Sequence, residues 1–214
     1  MGRIAGTDNA HGLAVRLFDG RIALDGGELS LAQREAAVLF VLAAAPQRAL
    51  DAHRLAETIW PDLDADQGRR ALKVAASRLR ARLRDRTVLS SVHGRYELAS
   101  YVRVDLEELG QALTLFDEDE SIAHLERFAP LLLASRPPHL RDAEWFAPIE
   151  ARLIEATNRL GRHLARSAAA RGDGQAVRQL GRALLAADPT DEEGCALVVR
   201  GYLLEGYRSA ARRA

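Results

Sequence analysis

Apolar positions between residues 64 and 86 recur with a helical period. Laid out at about 100° per residue, Leu72, Ala75, Ala76, Leu79 and Leu83 form one stripe about 100° wide, as a core-facing helix requires. The opposite face carries Arg70, Lys73, Ser77, Arg80 and Arg84, with Val74 and Ala81 between them. The pattern predicts a single amphipathic helix over 65–86, anchored on leucine and open on a cationic side that suits phosphates and base edges. Two helices are predicted before it. An S-x-x-Q capping box at Ser30 and Gln33 leads an apolar run over 31–45 that closes at Pro46. Asp51 then caps a second helix through Leu55 and Ile59 to Trp60. Pro61 stops it, because proline cannot continue the hydrogen-bond ladder.

Alternating positions mark the strands. Residues 88–92 and 95–98 read as a hairpin across His93-Gly94, since a glycine at the second loop position permits the positive φ of a tight turn. Near the N-terminus, 13–18, 21–24 and 28–30 are short β-prone runs separated by Asp19-Gly20 and Asp25-Gly26-Gly27, predicting an antiparallel meander after a tail over 1–12. The order is three strands, two helices, a basic helix and a hairpin wing.

Residues 106–214 read as nearly all helix. A helix over 106–116 is followed by the acidic run 117–120 and a second helix from Ser121 to about Ser135, with Arg136-Pro137-Pro138 breaking the chain. The four consecutive acids are expected to face a helix N-terminus, where the dipole favours them, because contiguous residues cannot all face one metal ion. A long helix over 148–171 carries Leu153, Leu160 and Leu164 along one side. Arg171-Gly172-Asp173-Gly174-Gln175-Ala176 recurs 34 residues later as Glu205-Gly206-Tyr207-Arg208-Ser209-Ala210. That period with paired helices is a tetratricopeptide signature, and such stacks present a concave surface for another protein. The fold class expected is an α+β winged-helix domain over 13–105 followed by an all-α, tetratricopeptide-like domain over 106–214 whose last repeat is incomplete.

Charge sharpens this division. The 214-residue chain is formally neutral, yet residues 1–105 hold 16 basic and 13 acidic side chains and residues 106–214 hold 14 and 17, so +3 is set against −3. Eight of the cations fall within 64–86, and Lys73 is the single lysine in the sequence. An electrostatic footprint for nucleic acid needs a local patch rather than a basic chain. The competing reading of such a run is a solvated face, which the flanking helices and hairpin make less economical.

Catalytic chemistry finds little support. Cys195 would be the nucleophile, but beside Ala196, Leu197 and Val198 a free cysteine is expected to be a small hydrophobe. The six histidines form no i,i+4 pair or HExxH, and no phosphate loop or glycine-rich dinucleotide turn occurs, so no enzyme, metal or cofactor is expected. One cysteine rules out an intramolecular disulfide, the start lacks a secretory signal, and no apolar stretch approaches the roughly 20 residues that span a bilayer. A cytoplasmic protein with no membrane role is expected. The abundance of arginine, alanine and leucine is a habit of GC-rich genomes and fits an actinobacterial source.

Residues 13–105 resemble the winged-helix domain of OmpR/PhoB-type response regulators. More closely, "IWPDLDADQGRRALKVAASRLRARL", "VHGRYEL" and "VRVDLEEL" look like the Streptomyces antibiotic regulatory protein family, which joins that domain to a bacterial transcriptional activator domain. "EWFAPIEARLIEATNRL", "ARGD" and "ADPTDEEG" look like segments of the latter. The resemblance implies a third helix in the major groove and a wing at the minor groove of promoter DNA. By alignment on Arg78-Leu79-Arg80 it puts Arg70, Lys73, Ser77 and Arg80 toward bases and phosphates. Arg70 or Lys73 would read a guanine edge, and Val74 would rest on a thymine methyl. Arg69, Arg78 and Arg84 fall to phosphates, with Arg78 alternatively pairing to a carboxylate inside the domain. Ser91 and His93 match wing positions that approach DNA, Arg95 stands where the family carries glycine, and Tyr96 is expected in the core. The resemblance further implies an activator that binds direct repeats side by side as a head-to-tail dimer and contacts RNA polymerase through its sigma factor. No phosphate-acceptor receiver is expected ahead of the winged helix. The alternative is a helical-repeat adaptor whose winged helix docks protein.

Overall fold

The computed structural model describes residues 12–119, 122–134 and 137–213. They divide into two units: the first runs to Asp105 and takes in Pro137–Ile149, and the second comprises Leu106–Arg136 and Glu150–Ala214.

In the first unit, β1 (Ala14–Arg16), β2 (Arg21–Leu24) and β3 (Gly27–Glu28) form the antiparallel meander. The third strand is shorter than the run over 28–30, although Leu29 still donates to the Ile22 carbonyl at 2.7 Å. Helix α1 (Gln33–Ala44) follows, then β4 (Ala49–Asp51), α2 (Ala52–Ile59) and α3 (Ala65–Leu83). The hairpin is β5 (Leu89–Val92) and β6 (Arg95–Leu98). A last strand, β7 (Arg103–Val104), runs parallel to β1 and completes a sheet of order β3-β2-β1-β7, while β4 joins the wing in a sheet of order β4-β6-β5. Neither β4 nor β7 is evident from local periodicity, since two or three residues carry no period and their pairing is long-range.

Ser30 does not cap α1. The cap position is Ala32, whose backbone N–H donates to the Glu35 carboxylate at 3.4 Å, while Ser30 offers its backbone carbonyl to Arg82 at 2.9 Å. The run over 31–45 therefore contributes a helix shorter by two residues at its start. Asp51 caps α2 as expected, accepting from the His53 N–H at 2.7 Å. The core gathers Val15, Leu17 and Phe18 from the first sheet with Val38, Leu39, Leu42, Leu55, Ile59, Leu72, Leu79 and Leu89.

The second half departs from the sequence expectation in three places. Helix α4 (Asp105–Asp119) extends through the acidic positions it was expected to precede, so residues 117–119 close a helix rather than open one; Glu120 and Ser121 lie outside the described residues. The helix expected over 121–135 is only one α-turn, α5 (Ala123–Glu126), followed by a 3-10 turn at Ala129–Leu133, because Pro130 has no N–H to continue the ladder. Finally, α6 (Pro138–Arg141) and the 3-10 turn Glu144–Phe146 belong to the first unit rather than the helical one. Trp145 is buried there, stacked near Phe40 of α1 with ring centroids 6.5 Å apart at 12°.

The remaining helices are α7 (Ala147–Ala170), α8 (Gly174–Ala187), α9 (Glu192–Leu204) and α10 (Arg208–Ala211). The 34-residue register is visible in the backbone: Gly172 (φ 75°) follows α7 and Gly206 (φ 81°) follows α9, each reversing the chain where only glycine is comfortable. Helices α8 and α9 pack through facing glycines. A Cβ on Gly201 would meet the Gly174 carbonyl at 2.7 Å and the Arg178 amide nitrogen at 2.8 Å, whereas one on Gly194 would find its nearest neighbour, the Leu185 side chain, at 3.2 Å. Gly201→Ala is expected to destabilise this unit by about 1–3 kcal/mol through overpacking. Helix propensity returns at most roughly 1 kcal/mol of that. Gly194→Ala, whose Cβ would also meet the Gly181 carbonyl at 3.3 Å, is expected to cost less than Gly201→Ala, and thermal unfolding of the two variants followed by circular dichroism measures the difference.

Candidate nucleic-acid interface

Helix α3 is fixed at its start by Asp64, whose carboxylate accepts from the backbone N–H groups of Asp66 (3.0 Å) and Gln67 (2.8 Å). Asp64→Ala is expected to cost about 1 kcal/mol, readable as a lowered urea midpoint. Along the inner face Leu72, Ala75, Ala76, Leu79 and Leu83 are buried, the stripe that periodicity predicted. The helix ends at Leu83, three residues before the expected end. Arg84 takes the left-handed conformation (φ 53°) and turns the chain, so Asp85 and Arg86 leave the helix.

The outward residues fall into three sectors. Arg70, Lys73 and Ser77 are exposed along the crest. On the flank toward α1, Val74 (50% exposed), Ala71, Ala75 and Arg78 share a concavity with Trp60, Arg34 and Glu35. Arg34 donates to the Ile59 carbonyl and lies 6.0 Å from the Trp60 ring centre. Among the described residues Arg78 makes no ion pair, so the alternative of an internal carboxylate partner is not realised. Arg82, farther round this flank, is spent on the Ser30 carbonyl and on Glu35 at 3.8 Å. On the flank toward the wing, Ser77, Arg80, Ala81, Arg86 and Ser91 line a cleft of about 580 Å³.

Two of the predicted cations already have partners. Arg69 pairs with Asp66, and that hydrogen bond and charge hold the Asp66 carboxyl below its ordinary range, with the Arg70 charge adding last. Arg80 is half-buried and donates its Nε–H to the Leu89 carbonyl at 2.8 Å, tying the basic helix to the first strand of the wing. Arg84 is exposed at the helix end.

The wing is a two-residue turn with φ of 49° at His93 and 78° at Gly94, closed by the Val92–Arg95 pair. Both positive values match the right-handed twist of the strands. The Gly94 carbonyl accepts from the Ala52 N–H at 2.8 Å, which fastens the turn to the start of α2. Ser91, His93 and Arg95 are exposed, and Tyr96 is buried as expected. Sequence reasoning passed over Val92, 59% exposed beside the turn, and Arg86, which it kept inside the helix. The signal for Arg86 was the Asp85-x-Thr87 spacing: Asp85 accepts from the Thr87 N–H (2.8 Å) and hydroxyl (2.6 Å) and from the Tyr101 hydroxyl (2.8 Å). Burial, with Asp85 adding to it against the Thr87 bond, pushes the Tyr101 hydroxyl up, which keeps it a neutral donor.

Residues 26–95 match the family described as "Transcriptional regulatory protein, C terminal". That segment spans β3, all three helices of the first unit and the wing turn, so the match falls on the winged helix itself. Among solved structures, the chain is similar to Mycobacterium tuberculosis EmbR in complex with a low affinity phosphopeptide, with a TM-score of 0.70 and 22% identity over 93% of this chain. At that identity the likeness is one of fold: a winged helix followed by a mostly helical region. The chain spans 56% of the EmbR chain. No curated protein sequence matches it.

Other chemistry gains no geometry. Cys195 is exposed on α9 rather than packed as a small hydrophobe, because Leu197 and Val198 are the positions that turn inward. Among the described residues no group of three His, Cys, Asp or Glu side chains could hold a metal ion, and no helix is long and apolar enough to cross a membrane.

Proposed function

We propose that the protein is a sequence-specific, DNA-binding transcription regulator that reads promoter DNA with α3 and its wing. The carrying observation is that Arg70, Lys73 and Arg78 stand exposed, and without ion pairs among the described residues, on a helix whose other face is locked into the core. Lone surface cations are cheap, but three left uncompensated on one helix beside a pinned hairpin make a surface whose complement is polyanionic. Arg70 and Lys73 read base edges, Val74 and Arg78 serve the α1-side flank, and Arg69, Arg84, His93 and Arg95 lie toward phosphates. The helical unit, with its tetratricopeptide-like pairing, is the protein-contacting part. Activation through RNA polymerase and its sigma factor, and head-to-tail binding to direct repeats, complete this reading.

The test is selection with the full chain from a pool of random-sequence duplexes, followed by binding at increasing salt. An enriched motif whose affinity falls steeply with salt is expected, since each neutralised phosphate contributes about 0.9 to the logarithmic slope. Direct repeats within the motif would support side-by-side binding, and run-off transcription from a promoter carrying it tests activation. Failure to enrich any duplex would overturn the reading in favour of a protein-docking winged helix.

A further inference from the structure

A turn at Pro46–Arg48 joins α1 to β4, and two of its residues in succession, Gln47 (φ 54°) and Arg48 (φ 57°), take the left-handed conformation without being glycine. Such backbone is unfavourable for a residue with a Cβ and persists where the surroundings hold it. Here Arg48 supplies the hold. Its Nη1 donates to the backbone carbonyls of Ala99 (2.9 Å), Ser100 (3.0 Å) and Val102 (2.6 Å), gathering three acceptors from one distant segment. Hydrogen bonds from a charged donor are stronger than neutral ones, so the grip is firm.

The gripped segment crosses from β6 to β7 and carries Tyr101. At 47% exposure, packing alone does not place this side chain. Polar contacts do: the Tyr101 hydroxyl donates to Asp85 at 2.8 Å and lies 2.7 Å from the Thr87 hydroxyl, while the Ala99 N–H donates to the Val88 carbonyl at 2.9 Å. Asp85 and Thr87 belong to the turn directly after Arg84, where α3 has ended and the chain sets off into the wing. The crossing is therefore held on one side by Arg48 and on the other holds the end of α3.

We propose that Arg48 is a positioning residue for the nucleic-acid interface. By fixing the backbone of 99–102 it places the Tyr101 hydroxyl, and through Asp85 and Thr87 it sets the turn that fixes α3 against the wing. Arg48 acts through protein carbonyls and touches no DNA. The consequence for binding rests on the DNA-binding reading above, whereas the chain of contacts stands without it.

Full-length wild type, Arg48→Met, Tyr101→Phe and the double variant are compared on the duplex enriched by selection, with unfolding temperature and hydrogen–deuterium exchange over residues 84–88 followed alongside. Each single variant is expected to weaken the affinity of the folded protein about 2-fold to 30-fold, the scale of effects transmitted by residues that touch no ligand. The slope of affinity against salt is expected to stay that of wild type, because no phosphate contact is lost. The double variant is expected to lose no more than the larger single, since both remove links of one chain. Exchange over 84–88 is expected to be faster in all three. A lowered unfolding temperature with unchanged affinity of the folded protein would make Arg48 purely structural and overturn the proposal, as would additive losses or a slope shallower by about one. Tyr101→Phe removes one exposed oxygen and keeps the fold, so it decides alone should Arg48→Met fail to fold: weaker affinity at unchanged slope upholds the chain of contacts, and unchanged affinity removes it. If no duplex is enriched, the DNA-binding reading falls, and unchanged exchange over 84–88 would separately overturn the hold of Arg48 and Tyr101 on the end of α3.

Discussion

Leu79→Ala is expected to lower the unfolding temperature of the winged-helix unit by about 10–20 °C. Leu79 is fully buried in the last third of α3, in the stripe with Leu72, Ala76 and Leu83. Removing most of its side chain loses the transfer free energy and leaves a cavity that a packed core only partly closes, a cost of about 2–5 kcal/mol. That is a large share of the roughly 5–15 kcal/mol that holds a domain folded. Val74→Ala on the same helix is the control: at 50% exposure it is expected to change stability by well under about 1 kcal/mol. Thermal unfolding followed by circular dichroism reads both. Equal shifts for the two variants would contradict the two-sided helix on which the interface is built.

The second large effect concerns binding. Arg70→Ala with Lys73→Ala is expected to weaken affinity for the selected duplex by about 30-fold to 10⁴-fold, because each base-edge contact is worth about 1–3 kcal/mol. Stability should hardly move, since both side chains are exposed and neither has an ion-pair partner among the described residues. Electrophoretic mobility shift at fixed salt measures the loss, and the unfolding temperature confirms that folding is intact. Unchanged affinity would remove the crest of α3 from the interface and return the helix to a solvated face.

These residues also show where sequence reasoning succeeds. The α3 stripe, the Asp51 cap, the stop at Pro61 and the His93-Gly94 turn are all local: their physics is contained in spans of a few residues. The Ser30 box failed because capping depends on where the chain enters the helix, and Arg82 holds the Ser30 carbonyl outside it. The end of α3 was misplaced for a related reason. Residues 84–86 carry acceptable helix formers, and what ends the helix is the distant Tyr101 hydroxyl together with Thr87 on Asp85. The acidic run over 117–120 was assigned to a helix start because its composition suited a positive dipole, yet the described part continues α4.

By itself the sequence determined a winged helix with a cationic third helix, a tight wing and a helical region with a 34-residue repeat, because periodicity, caps and turn residues act over short range. Tertiary structure alone decided that β4 and β7 complete the two sheets and that residues 137–149 pack with the first unit through Trp145 and Phe40. It also decided that Arg80 braces the wing and that Arg86 returns beside Ser91. Those outcomes depend on which backbone carbonyl, aromatic face or strand edge lies within reach once distant segments are folded together, and side-chain spacing along the chain carries no record of that.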